Sequence, residues 1–586
     1  MPSTENMISI TPDDLAQQLP DFNQLFPHFY KDPKTITNSV DPFTLNAKTG
    51  FLPTRLPIVE LPSQFAQLSD ILARLPVLLE DGSPGLLATY SLGPLIDAGV
   101  HLDDLTDHID RLVVPGTNDL DLHLVTALFR DYSFLASSYL LEPCWQHYNE
   151  KKQQKQKKKV DAEGLESSGC PHKVDDTSEY GLGRPILPAC IARPLVKLAQ
   201  ILDIPPFMSY AASYALYNYR LVDPSLGCSD YSNIRLIRAF ERGLDPKSSE
   251  AGFILTHIHM VAQTGPLITG VVETLDAIEQ IRKNQADTPH NNLTDITQAN
   301  DSTRNPTSDS TNNLTNNLTN HSEISRLKYA LTLILTTMTS IESAMERMWS
   351  HSHPADYPSY RTFIFGITSQ PLFPTGVIYQ SCFDNTPQSY RGESGANDSI
   401  IPLLDSLTQI PMPANPLTTT LKSFRAYRPT PQRLLLRYTE TRAHTLRTRD
   451  FFSSITTTPS LALTVLYLRI LDHIRSFRWR HWLFAREYII KLSRYPVATG
   501  GSPIVTWLPN QLGAVLDVME DVYRGSNLAE LVSCECAAGL SGHRYGNAMD
   551  LTRDDLGVVK GIIATVVLQR EKLRKEVERF CTERGV

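Results

Sequence analysis

Large apolar side chains recur every three or four residues along the C-terminal third of the chain. From Leu463 the series runs through Leu466, Ile470, Ile474, Phe477, Phe484 and Tyr488. These steps place all of its members on one face of a helix. His481 falls on the same face, so the sequence predicts one imidazole in the middle of an apolar stripe.

The helical period is found along most of the remaining chain, while the alternation typical of strands is scarce. Further helices are predicted at residues 122–141, 191–202, 210–219, 253–281 and 324–348. We therefore expect a mostly α-helical protein with two units. Residues 1–235 would form a small N-terminal helical domain, and residues 236–586 a larger helical bundle.

Two low-complexity segments interrupt this pattern. Residues 149–180 are rich in Lys and Gln and then acidic and Ser-rich, which predicts a disordered, linker-like insert. Residues 284–322 consist largely of Asn, Thr, Asp and Ser, so they cannot bury a core and are predicted to be disordered.

Composition excludes several classes of protein. The net charge of −8 comes from well-mixed acids and bases, which argues against a nucleic-acid-binding surface. No apolar window approaches about 18 residues, so no membrane span is expected. Residues 1–20 carry no basic start followed by an apolar run, so we expect no secretory signal. Eight scattered cysteines, of which only Cys534 and Cys536 are close, fit reduced thiols in the cytoplasm.

The imidazole of His481 leaves two interpretations open. It is either a hydrogen-bonded histidine of the core or an axial ligand of a haem iron, which needs a neutral imidazole on a rigid, apolar wall.

Several short blocks, each a weak signal alone, form an ordered set over about residues 50–530. They include Leu105-Thr106-Asp107-His108, Ile204-Pro205-Pro206, Gly252-Phe253-Ile254-Leu255, Tyr360-Arg361-Thr362-Phe363, Tyr390-Arg391-Gly392-Glu393-Ser394-Gly395-Ala396, Arg425-Ala426-Tyr427-Arg428-Pro429, the helix of His481, and Ala498-Thr499-Gly500-Gly501-Ser502. In content and order this set resembles the indoleamine 2,3-dioxygenase family, in a fungal form.

The resemblance implies an all-helical, two-domain haem dioxygenase fold. It also implies one haem b per chain, dioxygen as co-substrate, and L-tryptophan or a related indoleamine as substrate. The implied reaction inserts both oxygen atoms across the indole C2=C3 bond to give N-formylkynurenine, the first step of the kynurenine route to NAD. A cytoplasmic monomer is expected.

The resemblance also assigns residues on the two sides of the haem. His481 matches the proximal ligand of the iron, and Arg478 with Asp405 matches an ion pair near a haem propionate. On the distal side, Phe253 matches an aromatic residue that packs against the indole. His257, four residues on, would hydrogen-bond the indole N–H or dioxygen.

Polar groups of the substrate would be held by other blocks. Arg361 matches an arginine that binds the substrate carboxylate at the mouth of the pocket. Ser394 and Gly395 match a loop that crosses above the haem. The segment made of Thr499, Gly500, Gly501 and Ser502 matches a mobile loop that closes over the substrate and bonds its ammonium group or a propionate.

The chain departs from the family pattern at several places. Asp356 and Tyr357 stand where relatives carry two aromatic residues, Trp482 follows the proximal histidine, and Pro503 replaces an aspartate. Two alternatives therefore stay open. One is a haem-binding paralogue with weak or altered activity that acts as a sensor or interaction protein, and the other is a helical structural protein without a cofactor.

Overall fold

The structure, a computed structural model, describes residues 20–99, 101–162, 179–286, 309–455, 458–492, 498–501, 504–533 and 551–584. Within these ranges the chain is mostly α-helical, as the sequence predicts.

The α-helices are α1 Phe22–Leu25, α2 Ala66–Ala73, α3 Leu86–Thr89, α4 Leu92–Asp97, α5 Thr106–Ile109, α6 Leu122–Ala162, α7 Ala189–Leu202, α8 Ser249–Val261, α9 Thr264–Ala286, α10 Asp309–Glu346, α11 Met348–His351, α12 Tyr357–Arg361, α13 Ile400–Thr408, α14 Pro416–Ser423, α15 Thr430–Leu446, α16 Thr448–Ser453, α17 Thr458–Ala485, α18 Ile504–Gly525, α19 Leu528–Ser533 and α20 Arg553–Arg584. Short π-helical turns occur at Tyr210–Tyr214 and Arg486–Ile490.

Strands are few and short. They are β1 Ile186–Leu187, β2 Tyr219–Leu221, β3 Ile234–Leu236, β4 Val377–Tyr379 and β5 Pro387–Gln388. β4 pairs in parallel with β1 and antiparallel with β5, and β2 pairs with β3 as an antiparallel ribbon.

Long helices form the C-terminal part of the core. α9 packs along α10, α10 packs against α8 and α17, and α17 packs against α18 and α20. Buried side chains from both sides of residue 235 belong to one contiguous apolar cluster. The domain division at that residue stays a prediction.

Several element boundaries differ from the predicted ones. The helix expected over 253–281 is two helices, α8 and α9, which are separated at Ala262 and Gln263. The segment 210–219 is not one helix, because only its first half forms a helical turn and its last residue begins β2.

The two low-complexity segments are partly helical. α6 continues to Ala162 and α10 begins at Asp309, so the predicted disorder is wrong at the beginning of the first segment and at the end of the second. The central parts of both segments lie outside the described residues. None of the described helices is long and apolar enough to cross a membrane.

A buried ion cluster joins α6 to the chain that follows β3. The carboxylate of Asp131 is fully buried and receives hydrogen bonds from Arg130 at 2.8 Å and from Arg238 at 2.7 and 3.0 Å. The two guanidinium groups outweigh burial and lower the pKa of Asp131. This cluster fixes α6 against the segment that follows the β2–β3 ribbon.

We expect Asp131→Asn to lower the free energy of unfolding by about 3–5 kcal/mol, because it leaves two buried arginines without their shared carboxylate. Chemical denaturation measures this loss. The control is Asp104→Asn, which removes a partly exposed partner of Arg193 and is expected to cost about 0–1 kcal/mol. Similar losses in both variants would contradict a special role for the buried cluster.

Candidate functional site

A mostly apolar cavity of about 1250 Å³ lies between α8, α13 and α17. Pockets for single small ligands measure about 300–1,000 Å³, so this cavity has room for a larger group together with a substrate. α17 forms one wall with Phe477, Arg478, His481 and Phe484, and α8 contributes Phe253 and His257. The sequence-predicted proximal and distal residues therefore share one cavity.

His481 lies deep inside the molecule, yet its surface is exposed because it faces this cavity. Burial, together with the neighbouring charge of Arg478, lowers the pKa of His481 to about 4, so the imidazole is neutral at pH 7. Its nitrogens form no hydrogen bond with any described residue. A hydrogen-bonded core histidine does not fit this arrangement, whereas a metal-ligating imidazole does.

Arg478 and Asp405 form the ion pair that the sequence suggested. Nη2 of Arg478 lies 2.6 Å from Oδ2 of Asp405, and Nη1 donates to the backbone oxygen of Gln511 at 2.9 Å. Burial raises the pKa of Asp405 in spite of the nearby guanidinium. The pair joins α17, the helix of His481, to α13 and α18 beside the cavity.

On α8, Phe253 and His257 are the two residues that are not fully buried. They are four residues apart, hence on one face, and their rings pack with centroids 4.9 Å apart. His259 points elsewhere, and its Nδ1 lies 3.1 Å from the backbone oxygen of Cys228. The structure thus confirms which face of this helix lines the cavity.

His257 belongs to a hydrogen-bonded chain that the sequence did not reveal. Its Nδ1 lies 3.1 Å from the hydroxyl of Tyr210, and that hydroxyl lies 3.3 Å from Oδ2 of Asp398. Burial, with a smaller effect of His481, lowers the pKa of His257 to about 4, and burial raises the pKa of Asp398 to about 6. At pH 7 the imidazole is neutral and Asp398 is mostly ionised.

Arg361 is buried among aromatic side chains, and its predicted place at the mouth of the cavity stays a prediction. It is 1% exposed and is not among the described residues that line the cavity. Its guanidinium carbon lies 4.9 Å from the ring centre of Phe365 and 5.8 Å from that of Tyr357, and it also bonds Tyr180. Tyr357, in contrast, does line the cavity.

Ser394 and Gly395 line the cavity at the predicted place. The hydroxyl of Ser394 accepts a hydrogen bond from the amide of Ala396 at 3.2 Å and so starts a short helical turn. A Cβ atom at Gly395 would lie 3.2 Å from Cε1 of His257. A glycine here lets the loop backbone approach the imidazole closely.

The segment from Ala498 to Gly501 is fixed against the Ser394 loop. Thr499 is 5% exposed, and its hydroxyl donates to the backbone oxygen of Glu393 at 2.6 Å. Gly500 packs on the ring of Phe424, and Gly501 has a φ of +83° that favours glycine. The hydroxyl of Thr499 is therefore engaged with the backbone. Ser502 lies outside the described residues.

Sequence reasoning missed four buried polar residues of the cavity wall, namely Glu393, Asp398, Arg428 and Gln511. Arg428 donates to the backbone oxygens of Ala396 and Asp398, both at 3.1 Å, and burial lowers its pKa to about 10. For Glu393 a signal was present, because this glutamate stands among the small residues from Gly392 to Ala396. Nothing in the sequence brings Asp398 next to Tyr210.

The donor set fits a haem. Among the described residues no three His, Cys, Asp or Glu side chains gather to bind a metal ion, so an iron held by His481 needs a macrocycle for its other ligands. The apolar walls suit the porphyrin ring. The cavity also presents cationic side chains suited to its carboxylates: Lys422, Arg425, Arg428, Arg447, Arg449 and Arg478.

Comparison with known proteins agrees with the site. The family model described as indoleamine 2,3-dioxygenase matches residues 39–313 and 307–503. The indoleamine 2,3-dioxygenase of Saccharomyces cerevisiae is 24% identical over 474 residues, which cover 77% of this chain and 80% of the yeast protein. Indoleamine 2,3-dioxygenase 1 of Rattus norvegicus is 22% identical over 53% of this chain, and the match covers 64% of the rat protein.

The place of Arg361 gives a test. We expect Arg361→Ala to lower the free energy of unfolding by about 2–3 kcal/mol, because it empties a buried aromatic cluster. The surface variant Arg574→Ala should leave the free energy of unfolding nearly unchanged. Thermal unfolding and tryptophan binding are measured together. Lost binding at unchanged stability would instead show that Arg361 contacts the substrate directly.

Proposed function

Because this chain belongs to the indoleamine 2,3-dioxygenase family, we propose that it is a haem b-dependent dioxygenase that converts L-tryptophan to N-formylkynurenine. Both atoms of dioxygen enter the product across the indole C2=C3 bond, and no external reductant is consumed in a turnover. When bound, haem b supplies the iron at which dioxygen is activated.

One observation carries the proposal. His481 presents a neutral imidazole, without a hydrogen-bond partner among the described residues, to a cavity whose opposite wall carries an aromatic ring and a second neutral imidazole. A ligand on one wall and an apolar, aromatic space on the other is the arrangement that an iron porphyrin and an indole require. His481 is therefore the proposed iron ligand, oriented by the pair of Arg478 and Asp405.

The distal residues bind and orient the indole. Phe253 offers its ring to the indole face. The carboxylate of Asp398 is a stronger acceptor than a neutral imidazole, so it takes the O–H of Tyr210. Nδ1–H of His257 then donates to the Tyr210 oxygen, and Nε2 is left as an acceptor for the indole N–H. The Ser394 and Thr499 loops, which are joined by a hydrogen bond, close the site to water.

A second candidate is a haem-binding paralogue with weak or altered activity that acts as a sensor or interaction protein. Arg361 packs on Tyr357 and is not among the described residues that line the cavity, which favours this candidate, since the substrate carboxylate then lacks the expected partner. Formation of N-formylkynurenine by the purified, haem-loaded protein with tryptophan under reducing conditions separates the two candidates. Haem binding without product would select the paralogue.

We expect His481→Ala to abolish the Soret absorption of the purified protein and with it kynurenine formation, because the iron loses its protein ligand. The matched control is His473→Ala on the same helix. His473 bonds Glu342 at 2.8 Å and is not among the residues of the cavity wall, so haem should be retained. An unchanged Soret band in His481→Ala would overturn the assignment.

We expect His257→Ala to weaken L-tryptophan binding about tenfold, which corresponds to the loss of one hydrogen bond. Binding of 1-methyl-L-tryptophan, which has no indole N–H, should change little. Equilibrium titration of haem-loaded protein measures both ligands. His259→Ala serves as control, because that side chain points away from the cavity. Equal losses for both ligands would mean that His257 does not bind the indole N–H.

A further inference from the structure

Glu393 is a buried acid that no described residue of the site satisfies. Its side chain belongs to the cavity wall and the residue is 1% exposed, yet neither carboxyl oxygen has a hydrogen-bond partner in the part of the chain that the structure describes. Buried carboxyl groups in folded proteins are almost always hydrogen-bonded or paired, since an unmatched one is costly. An unmatched carboxyl on the wall of a binding cavity therefore suggests that the partner arrives with a ligand.

The groups that face Glu393 are phenols. Burial raises the pKa of Tyr210 and Tyr214 in the π-helical turn and of Tyr357 on α12, and the charge of Glu393 adds a smaller rise in each, so these three side chains lie near the carboxyl. No described cation opposes the effect of burial on Glu393. The nearest arginine in sequence, Arg391, is engaged elsewhere, because its guanidinium bonds Ser423 and the backbone oxygen of Gly500.

The backbone holds this carboxyl in place. The backbone oxygen of Glu393 accepts the hydrogen bond from Thr499, and the amide of Gly366 donates to the backbone oxygen of Thr499 at 3.0 Å. The segment of Thr499 was expected to bond the substrate ammonium or a propionate, but the hydroxyl of Thr499 is used here. The other carboxyls of the cavity wall, Asp398, Asp405, Glu440 and Asp450, have partners, whereas Glu393 has none among the described residues.

Resting on the proposed function, we propose that Glu393 binds the primary ammonium group of the indole substrate and so selects indoles with an alkylamine side chain. An alkylammonium brings both the positive charge and the N–H donors that the carboxyl lacks. The carboxyl releases its proton to solvent as the ammonium enters, so the charges balance within the cavity.

The pH dependence has a definite sign. Burial raises the pKa of Glu393 to about 8, so the ligand-free protein holds it mostly protonated at pH 7. A primary alkylammonium titrates near about 10 and stays charged. Affinity for an amine should therefore rise with pH between about 6 and 8 and then level off, since the binding form of Glu393 is the ionised one.

The test compares two ligands by calorimetric titration of haem-loaded protein at pH 6, 7 and 8. Tryptamine has the ammonium and no carboxylate, whereas indole-3-propionate has the carboxylate and no ammonium. For the unaltered protein, tryptamine affinity should rise several-fold per pH unit and indole-3-propionate affinity should fall. Glu393→Gln should remove both trends and weaken tryptamine at least tenfold at pH 8. Glu393→Asp should keep the trends in weaker form.

The control is Glu346→Gln, a half-exposed partner of Arg480 outside the cavity wall, which should behave as the unaltered protein. Trends that persist in Glu393→Gln, equal losses for both ligands, or no binding of tryptamine would each overturn the assignment. Failure of the proposed function would show differently, as a protein without a Soret band or without N-formylkynurenine as product. A misfolded Glu393→Gln is recognised by its unfolding curve. In that case the pH dependence of tryptamine affinity in Glu393→Asp tests the assignment instead.

Discussion

Removal from water determines the protonation states of two histidines and one glutamate in this cavity. Burial lowers the pKa of both cavity histidines, His257 and His481, to about 4, and raises the pKa of Glu393 to about 8. At neutral pH these three groups are therefore uncharged or mostly uncharged, although cationic side chains also line the cavity. Such an environment leaves one imidazole free to bind a metal and strengthens each polar contact that a ligand makes.

A few specific contacts position the two cavity histidines. The pair of Arg478 and Asp405 fixes α17, and the chain from Asp398 through Tyr210 fixes the proton on His257. In both cases a carboxylate at the edge of the cavity, Asp405 or Asp398, supports the helix or side chain that carries a neutral imidazole. The charged carboxylate keeps its own partner, and the imidazole faces the cavity.

The polar side chains of the cavity wall are not the ones that the family resemblance assigned to the polar end of the substrate. Arg361 packs on Tyr357 and is not among the described residues of the cavity wall, and the hydroxyl of Thr499 bonds a backbone oxygen. On the same wall, Glu393 has no hydrogen-bond partner among the described residues. These three observations together point to selection by the amine rather than by the carboxylate of the substrate.

The sequence by itself determined the helical class, the cavity-facing stripe of α17 and the shared face of Phe253 and His257, because helical periodicity is local and survives in the fold. It also supplied the resemblance through which Asp405 was matched to Arg478. Only the tertiary structure decided that Arg361 packs on Tyr357 and Phe365 and that Glu393 has no partner among the described residues. Those outcomes depend on which side chains from distant segments come into contact and on how deeply each is buried. No local sequence pattern encodes long-range contact or burial.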